Sequence, residues 1–158
     1  MGQIRSRDQG LALGTKEPVL ETRTRILDST EESVNFADRQ ALEAARRGGF
    51  RETIVEHIGL AVHEIMINAV VHGNRGNLHK KVVVTISRTP NKLKIEISDE
   101  GDGFDPGQIP DPLSPEGLLK GSGRGVYLAR AFMDEFHVLR EPVGGTKVII
   151  AKSVHSAV

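Results

Sequence analysis

Three groups of residues in this chain have types and spacings suited to chemistry. In the stretch GLAVHEIMINAVVHGN, Gly59 to Asn74, the polar side chains Glu64, Asn68 and His72 recur every four residues. On a helix they stand on consecutive turns of one face. Leu60, Val62, Ile65, Met66, Ala69 and Val70 form the buried side. Neither a core stripe nor a lysine-rich solvent face normally carries such a trio. The competing reading is an amphipathic helix whose exposed side bears a Glu and an Asn. Gly73-Asn74 is expected to stop this helix through a left-handed glycine.

The second group is Asp99-Glu100-Gly101-Asp102-Gly103-Phe104, at the exit of a core strand. A carboxylate there can accept a hydrogen bond from an exocyclic amine, and the glycines let a flat ring approach the backbone. A calcium loop would need a distal Glu and flanking helices that are missing. A plain tight turn is the lesser reading of the glycines, since Asp and Gly crowd turns in any case. The third group is Gly121-Ser122-Gly123-Arg124-Gly125, ahead of a helix expected from about Val126 to Met133. Backbone amides of such a loop, with a helix N-terminus behind them, make an anion site for phosphates. The spacing matches neither a Walker loop nor the dinucleotide fingerprint.

The elements that must position these groups are legible in chain order. Residues 1–17 lack periodicity and read as a flexible arm before a domain over 18–153, with 154–158 a tail. Val19 to Ile26 alternates as an edge strand. Asp28-Ser29-Thr30 followed by Glu31-Glu32 caps a first helix to about Arg47, which Gly48-Gly49 ends. Val82 to Ile86 and Leu93 to Ile97 form a hairpin through Thr89-Pro90-Asn91-Lys92, with Leu93, Ile95 and Ile97 facing the core. Asp99 to Pro115 is a loop of functional length. Two last strands, Glu135 to Glu141 and Thr146 to Lys152, flank Pro142-Val143-Gly144-Gly145. The expected fold is an α/β (α+β) sandwich: one mixed, mostly antiparallel sheet with three main helices on one face.

Composition narrows the function. Lysines plus arginines number 21, as do aspartates plus glutamates, in 158 residues. No global field points to nucleic acid or a membrane surface, and no basic patch is interleaved with aromatics. Cysteine is absent, which excludes disulfides, thiolate metal sites and cysteine nucleophiles. The N-terminus lacks the apolar core of a signal peptide, and no apolar run approaches a membrane helix of ~20 residues. A cytoplasmic location without nucleic-acid or membrane contact is expected.

Order and spacing together say more than any one group. The series E-x-x-x-N-A-x-x-H-G-N, D-x-G-x-G-F, G-x-G-R-G and G-G-T resembles the GHKL ATP-binding superfamily, which includes gyrase and the histidine kinases, over about Val19 to Lys152. The resemblance implies the Bergerat-type ATP-binding fold, with ATP and Mg²⁺ as ligands. It implies that Glu64 is the general base and that Asn68 holds magnesium bridging the phosphates. His72 belongs to the same nucleotide-binding set. Asp99 would read the adenine amino group, Gly101 and Gly103 would shape its pocket, and Thr146 would support the adenine end. Gly121, Ser122, Gly123, Arg124, Gly125 and Val126 would form the lid over the phosphates. His63 precedes Glu64, but one helical step turns it about 100° away, and it reads as a packing or solvent residue.

The layout is similar to the anti-sigma-factor serine kinases, which bind a sigma factor and phosphorylate a serine on a small antagonist protein. That likeness implies both partners and leaves room for a homodimer. Two other readings remain: a module that sequesters a sigma factor with negligible turnover, and an ATP hydrolase. Asn74-Arg75-Gly76-Asn77 replaces the more usual Ala-Tyr after His-Gly, which leaves Arg75 as an extra charge clamp.

Overall fold

A computed structural model describes residues 17–102 and 122–154; for 122–126 it describes the backbone alone. Five strands, β1 (Glu21–Asp28), β2 (Lys81–Arg88), β3 (Lys92–Ser98), β4 (Glu135–Arg140) and β5 (Thr146–Ser153), form one sheet ordered β1-β2-β3-β5-β4. Three helices accompany it: α1 (Glu31–Arg47), α2 (Glu52–Ile67) and α3 (Ser122–Phe132). The α+β architecture is the expected one. The mixed character is not: every neighbouring pair is antiparallel. β4 does run in the same direction as β3, but the hairpin strand β5 inserts between them, so no parallel neighbours meet.

Strand alternation sets the core. Val82, Val84 and Ile86 on β2, with Leu93, Ile95 and Ile97 on β3, are buried, while the residues between them are half-exposed. α1 starts where its cap was expected: the Thr30 hydroxyl accepts from the Ser33 amide at 3.2 Å, and Glu31 and Glu32 fill the first turn. Its buried face is built largely from small residues, with Ala37, Ala41, Ala44 and Ala45 beside Val34, so α2 can lie close. A Cβ at Gly59 of α2 would meet Leu42 Cδ2 at 2.6 Å. Arg46 closes the α1–α2 turn on Glu52 at 2.7 Å.

α2 is the central helix, packed between α1 and α3. On its α3 side the His57 and Phe132 rings stack with centroids 4.1 Å apart. Buried Lys152 of β5 donates to the Phe132 carbonyl at 2.9 Å, fixing the C-terminal end of α3 to the sheet. With its extension, α2 spans Glu52–Gly73 and has a mean hydropathy of 1.5 in its most apolar window. Contrary to expectation, it is long and apolar enough by composition to cross a membrane. That hydropathy follows from packing on several sides, since 56% of the window is buried inside the protein.

The helix does not end at Gly73 in the expected way. Asn68–Gly73 is a π-helical turn, and the Asn74 amide reaches back five residues to the Ala69 carbonyl at 2.8 Å. The left-handed residues lie further on, at Arg75 (φ 53) and Gly76 (φ 66). Glu17, placed above in the arm, accepts from the Thr89 hydroxyl at 2.7 Å, and Val154 donates to the Asn91 carbonyl at 2.8 Å. The β2–β3 turn therefore holds both the segment entering β1 and the one leaving β5. Residues 1–16, 103–121 and 155–158 lie outside the described residues.

Arg75 is the left-handed residue with a Cβ among those described, and it is exposed. Such a conformation costs about 1–2 kcal/mol for a residue other than glycine. Arg75→Gly is expected to stabilise the chain by about 1 kcal/mol, part of the relief being offset by glycine's greater unfolded-state freedom. Urea unfolding measures this, with a higher midpoint expected at unchanged slope.

Candidate functional site

Three chain segments converge on Asp99, and glycine is what lets them. A Cβ on Gly73, at the end of the α2 extension, would sit 2.7 Å from the Asp99 carboxyl carbon. One on Gly101 would sit 2.3 Å from the Gly73 carbonyl oxygen, and one on Gly145 would sit 2.0 Å from the Asp99 carbonyl oxygen. Gly73 is therefore required for close approach rather than for a left-handed turn, whereas Gly145 needs both, at φ 96.

Asp99 is 8% exposed. Its Oδ1 accepts from the amides of Gly101 at 2.9 Å and Thr146 at 3.3 Å, while its own amide donates to the Thr146 carbonyl at 2.9 Å. Burial raises its pKa above the ordinary aspartate value; the two amides and the nearby charge of Lys80 pull the other way without cancelling the rise. The Thr146 hydroxyl beside it is buried with no hydrogen-bond partner among the described residues. A buried hydroxyl in that state usually marks a missing ligand or water.

These groups open on a pocket. Asp99 and Asn68 line it with Ile65, Ala69, Ile97, Phe136, Val138 and Val148, and its cavity volume is about 20 Å³. Apolar side chains of the sheet and of α2 with its extension make up most of the lining, with one carboxylate and one side-chain amide among them. Among the described residues no three His, Cys, Asp or Glu side chains gather as a metal site. A cation here would take its remaining ligands from phosphate oxygens or water, as Mg²⁺ commonly does.

A family model described as a histidine kinase-like ATPase domain matches residues 27–152. The chain belongs to that family. ATP binding follows from membership. The anti-sigma F factor of Clostridium perfringens is 32% identical over 103 residues, which cover 63% of this chain and 72% of that protein. The serine-protein kinase RsbW of Staphylococcus aureus is 30% identical over 120 residues, covering 70% of this chain and 76% of the relative. The crystal structure of the RsbU and RsbW domains of a Mycobacterium tuberculosis protein superposes with a TM-score of 0.59 over 84% of this chain. At 18% identity, and over 31% of that longer chain, it shows the fold.

Within this ATPase domain the structure brings together Asn68, Asp99, Gly101 and Thr146 of the residues singled out from sequence. Glu64 is half-buried on α2 and its carbonyl accepts from the Asn68 amide, but it does not line the Asp99 pocket. His72 is exposed. The π turn adds a residue between hydrogen-bonded partners and so shifts His72 off the α-helical stripe of Glu64 and Asn68. Gly103 and Gly121 lie outside the described residues. Ser122, Gly123, Arg124 and Gly125 belong to the first turn of α3 rather than to a loop before Val126, because that helix begins at Ser122. His63 is half-buried, and its charge acts on Asp38 of α1, whose carboxyl is pushed up by burial.

One residue of the site was missed. Asn74 is 1% exposed and ties three segments: its Nδ2 donates to Ser29 Oγ at 2.9 Å and the Lys81 carbonyl at 3.0 Å, and its Oδ1 accepts from the Glu100 amide at 2.8 Å. The signal for it was the segment Asn74-Arg75-Gly76-Asn77, which stands in place of the more usual Ala-Tyr after His-Gly.

Two outcomes are expected. Because folding raises the Asp99 pKa, the ionised form is disfavoured in the ligand-free fold. That penalty is absent below 3.8, the ordinary value, and sets in as pH rises through the raised native one. Asp99→Asn should therefore gain stability relative to wild type between pH 3.5 and pH 7, read by denaturant unfolding of both proteins; a relative loss would mean that the amide bonds outweigh burial. Gly73→Ala should cost about 1–3 kcal/mol by overpacking against Asp99. The same substitution at exposed Gly49 meets nothing within 4 Å, so its cost comes from φ +81 alone, and comparing melting curves separates the two causes.

Proposed function

We propose that this chain is an ATP-dependent serine/threonine-protein kinase that acts as an anti-sigma factor and phosphorylates a serine of a small antagonist protein. The observation that carries the nucleotide part is the Asp99 node: one carboxylate oxygen held by two amides, an unpartnered Thr146 hydroxyl beside it, and an apolar pocket in front. The protein-kinase and anti-sigma parts rest on the relatives, named anti-sigma F factor and serine-protein kinase.

In this reading Asp99 accepts from the adenine amine, and Thr146 supports that end of the ring. Asn68, in the same pocket, is the residue that would hold Mg²⁺, which supplies charge neutralisation at the phosphates. Glu64 takes the proton of the substrate hydroxyl as its oxygen bonds to the γ-phosphorus and the bond to ADP breaks. The glycine-rich start of α3 presents helix N-terminal amides to phosphate. His72 and Arg75, both exposed near the end of the π turn, are left to contact phosphates or protein substrate.

One observation favours a second reading, a module that sequesters a sigma factor with ATP as a conformational ligand. Glu64 stands outside the residues lining the pocket of Asp99 and Asn68. Hydrolysis, with water in place of the serine hydroxyl, is a third.

Three variants separate these readings. Asp99→Asn should lower ADP affinity about tenfold to a hundredfold, since a buried mismatched polar pair costs about 1–3 kcal/mol. Asn68→Ala should weaken ATP binding with magnesium present and leave it nearly unchanged with magnesium chelated. Glu64→Gln should lower phosphoryl transfer about 10²–10⁴-fold and keep ATP affinity within a few-fold. Calorimetry and radiolabelled transfer to candidate antagonists measure them. Unchanged ADP binding in Asp99→Asn refutes the adenine assignment. Wild type that binds a sigma factor but labels no antagonist favours the sequestering module.

A further inference from the structure

Away from the nucleotide pocket, three arginines surround one carboxylate at the edge of the sheet, and a fourth, Arg25, lines the cleft beside them. Arg47 donates to Glu21 through Nη2 at 2.8 Å and Nε at 3.2 Å, and Arg23 Nε lies 3.0 Å from the same carboxylate. Arg88 Nε is 3.6 Å away, too far for a good hydrogen bond, and is buried without a hydrogen-bond partner among the described residues. Arg25 lines the same cleft and, among the described residues, reaches only the Thr24 carbonyl, at 3.5 Å. The cleft lining holds Arg23, Arg25 and Arg47 against Glu21, with Arg88 buried behind them, and so carries an excess of two positive charges in a chain whose formal net charge is zero. Burial pushes the Glu21 carboxyl up, and the hydrogen bonds and charges of Arg47, Arg23 and Arg88 overcome this and hold it low.

The strand register explains how the arginines come to face the helix layer. Arg23 pairs with Ile86 and Arg25 with Val84, both core residues of β2, so all four point to one side of the sheet. The cleft between β1 and α1 is lined by Arg23, Arg25 and Arg47 together with the apolar residues Val84, Ile86, Leu27 and Phe36. β1 is the terminal strand, so its other edge has no strand neighbour among the described residues. An edge strand with basic side chains beside an apolar slot resists pairing with itself and suits a strand of opposite charge.

We propose that this cleft is a docking site for an acidic segment of a partner protein, with apolar side chains seated on the apolar lining and carboxylates on the arginines. The site is separate from the nucleotide pocket and does not depend on the kinase reading. Charge selects the occupant. Residues 1–16 carry Arg5, Arg7 and Lys16 against Asp8, a net charge of the wrong sign. A second copy meeting this face symmetrically would bring arginines against arginines. Arginine forks match carboxylates bidentately, and Arg47 already holds Glu21 in that way.

The test uses the full chain and a short synthetic peptide of alternating glutamate and valine, with its lysine–valine counterpart as control. Fluorescence anisotropy measures affinity at low and high salt, and amide chemical-shift changes locate the contact. Arg23 and Arg25 are exposed, so Arg23→Gln/Arg25→Gln is expected to melt as wild type does. Wild type should bind the acidic peptide with shifts confined to β1, α1 and β2, more weakly at high salt. The double variant should bind at least about tenfold more weakly and keep its ADP affinity. Equal binding by the double variant, shifts elsewhere, or equal affinity for the lysine peptide overturns the proposal. Tighter binding of a DNA oligonucleotide than of the acidic peptide overturns it in favour of a nucleic-acid surface. Concentration-dependent dimerisation that the double variant loses overturns it in favour of self-association.

Discussion

The arrangement around Asp99 rests on contact between backbones. Three glycines bring the end of the α2 extension, the exit of β3 and the start of β5 within van der Waals reach around a single carboxylate. Any side chain at Gly73 or Gly145 would strike the aspartate itself, and one at Gly101 would strike Gly73. Close approach of this kind fixes geometry more tightly than hydrogen bonds between mobile side chains, because backbones have few ways to yield. It also keeps water from solvating the carboxylate, and this raises its pKa and leaves the Thr146 hydroxyl unpartnered. The chain therefore carries a cost in the burial of these two polar groups. Sites commonly hold such unfavourable groups in readiness for their ligand.

The rest of the fold keeps those segments in place. Asn74 ties the loop before α1, the start of β2 and the exit of β3, so the irregular chain after the π turn is anchored where it passes the pocket. At the far side Lys152 and the His57–Phe132 stack fix the C-terminal end of α3 to β5 and α2. The N-terminal end of α3 is its glycine-rich end. A helix tied at one end and rich in glycine at the other can adjust at the glycine end without disturbing the core.

The two sides of the molecule divide the electrostatics. The pocket of Asp99 and Asn68 sets an acid and an amide among apolar residues, while the β1–α1 cleft sets arginines among apolar residues. Averaged over the chain these charges cancel, and composition therefore suggested no charged surface at all. The β1–β2 register is what exposes the imbalance, since it places Arg23 and Arg25 opposite core residues.

The sequence by itself determined the element order, the core alternation of β2 and β3, the Thr30 cap, and the families of residue from which the pocket is made. Those features depend on local periodicity, capping chemistry and the order of motifs, which a linear string carries. Tertiary structure decided what Gly73 is for, because a steric clash with Asp99 joins residues 26 apart and leaves no local trace. It decided that β5 inserts between β3 and β4, which removes every parallel neighbour, and that a π turn moves His72 off the stripe of Glu64 and Asn68. It also gave Asn74 three partners from three segments, none of them specified by the residues beside it in sequence. Spacing rules assume one regular helix, and glycine rules assume a turn; both fail where distant backbones touch.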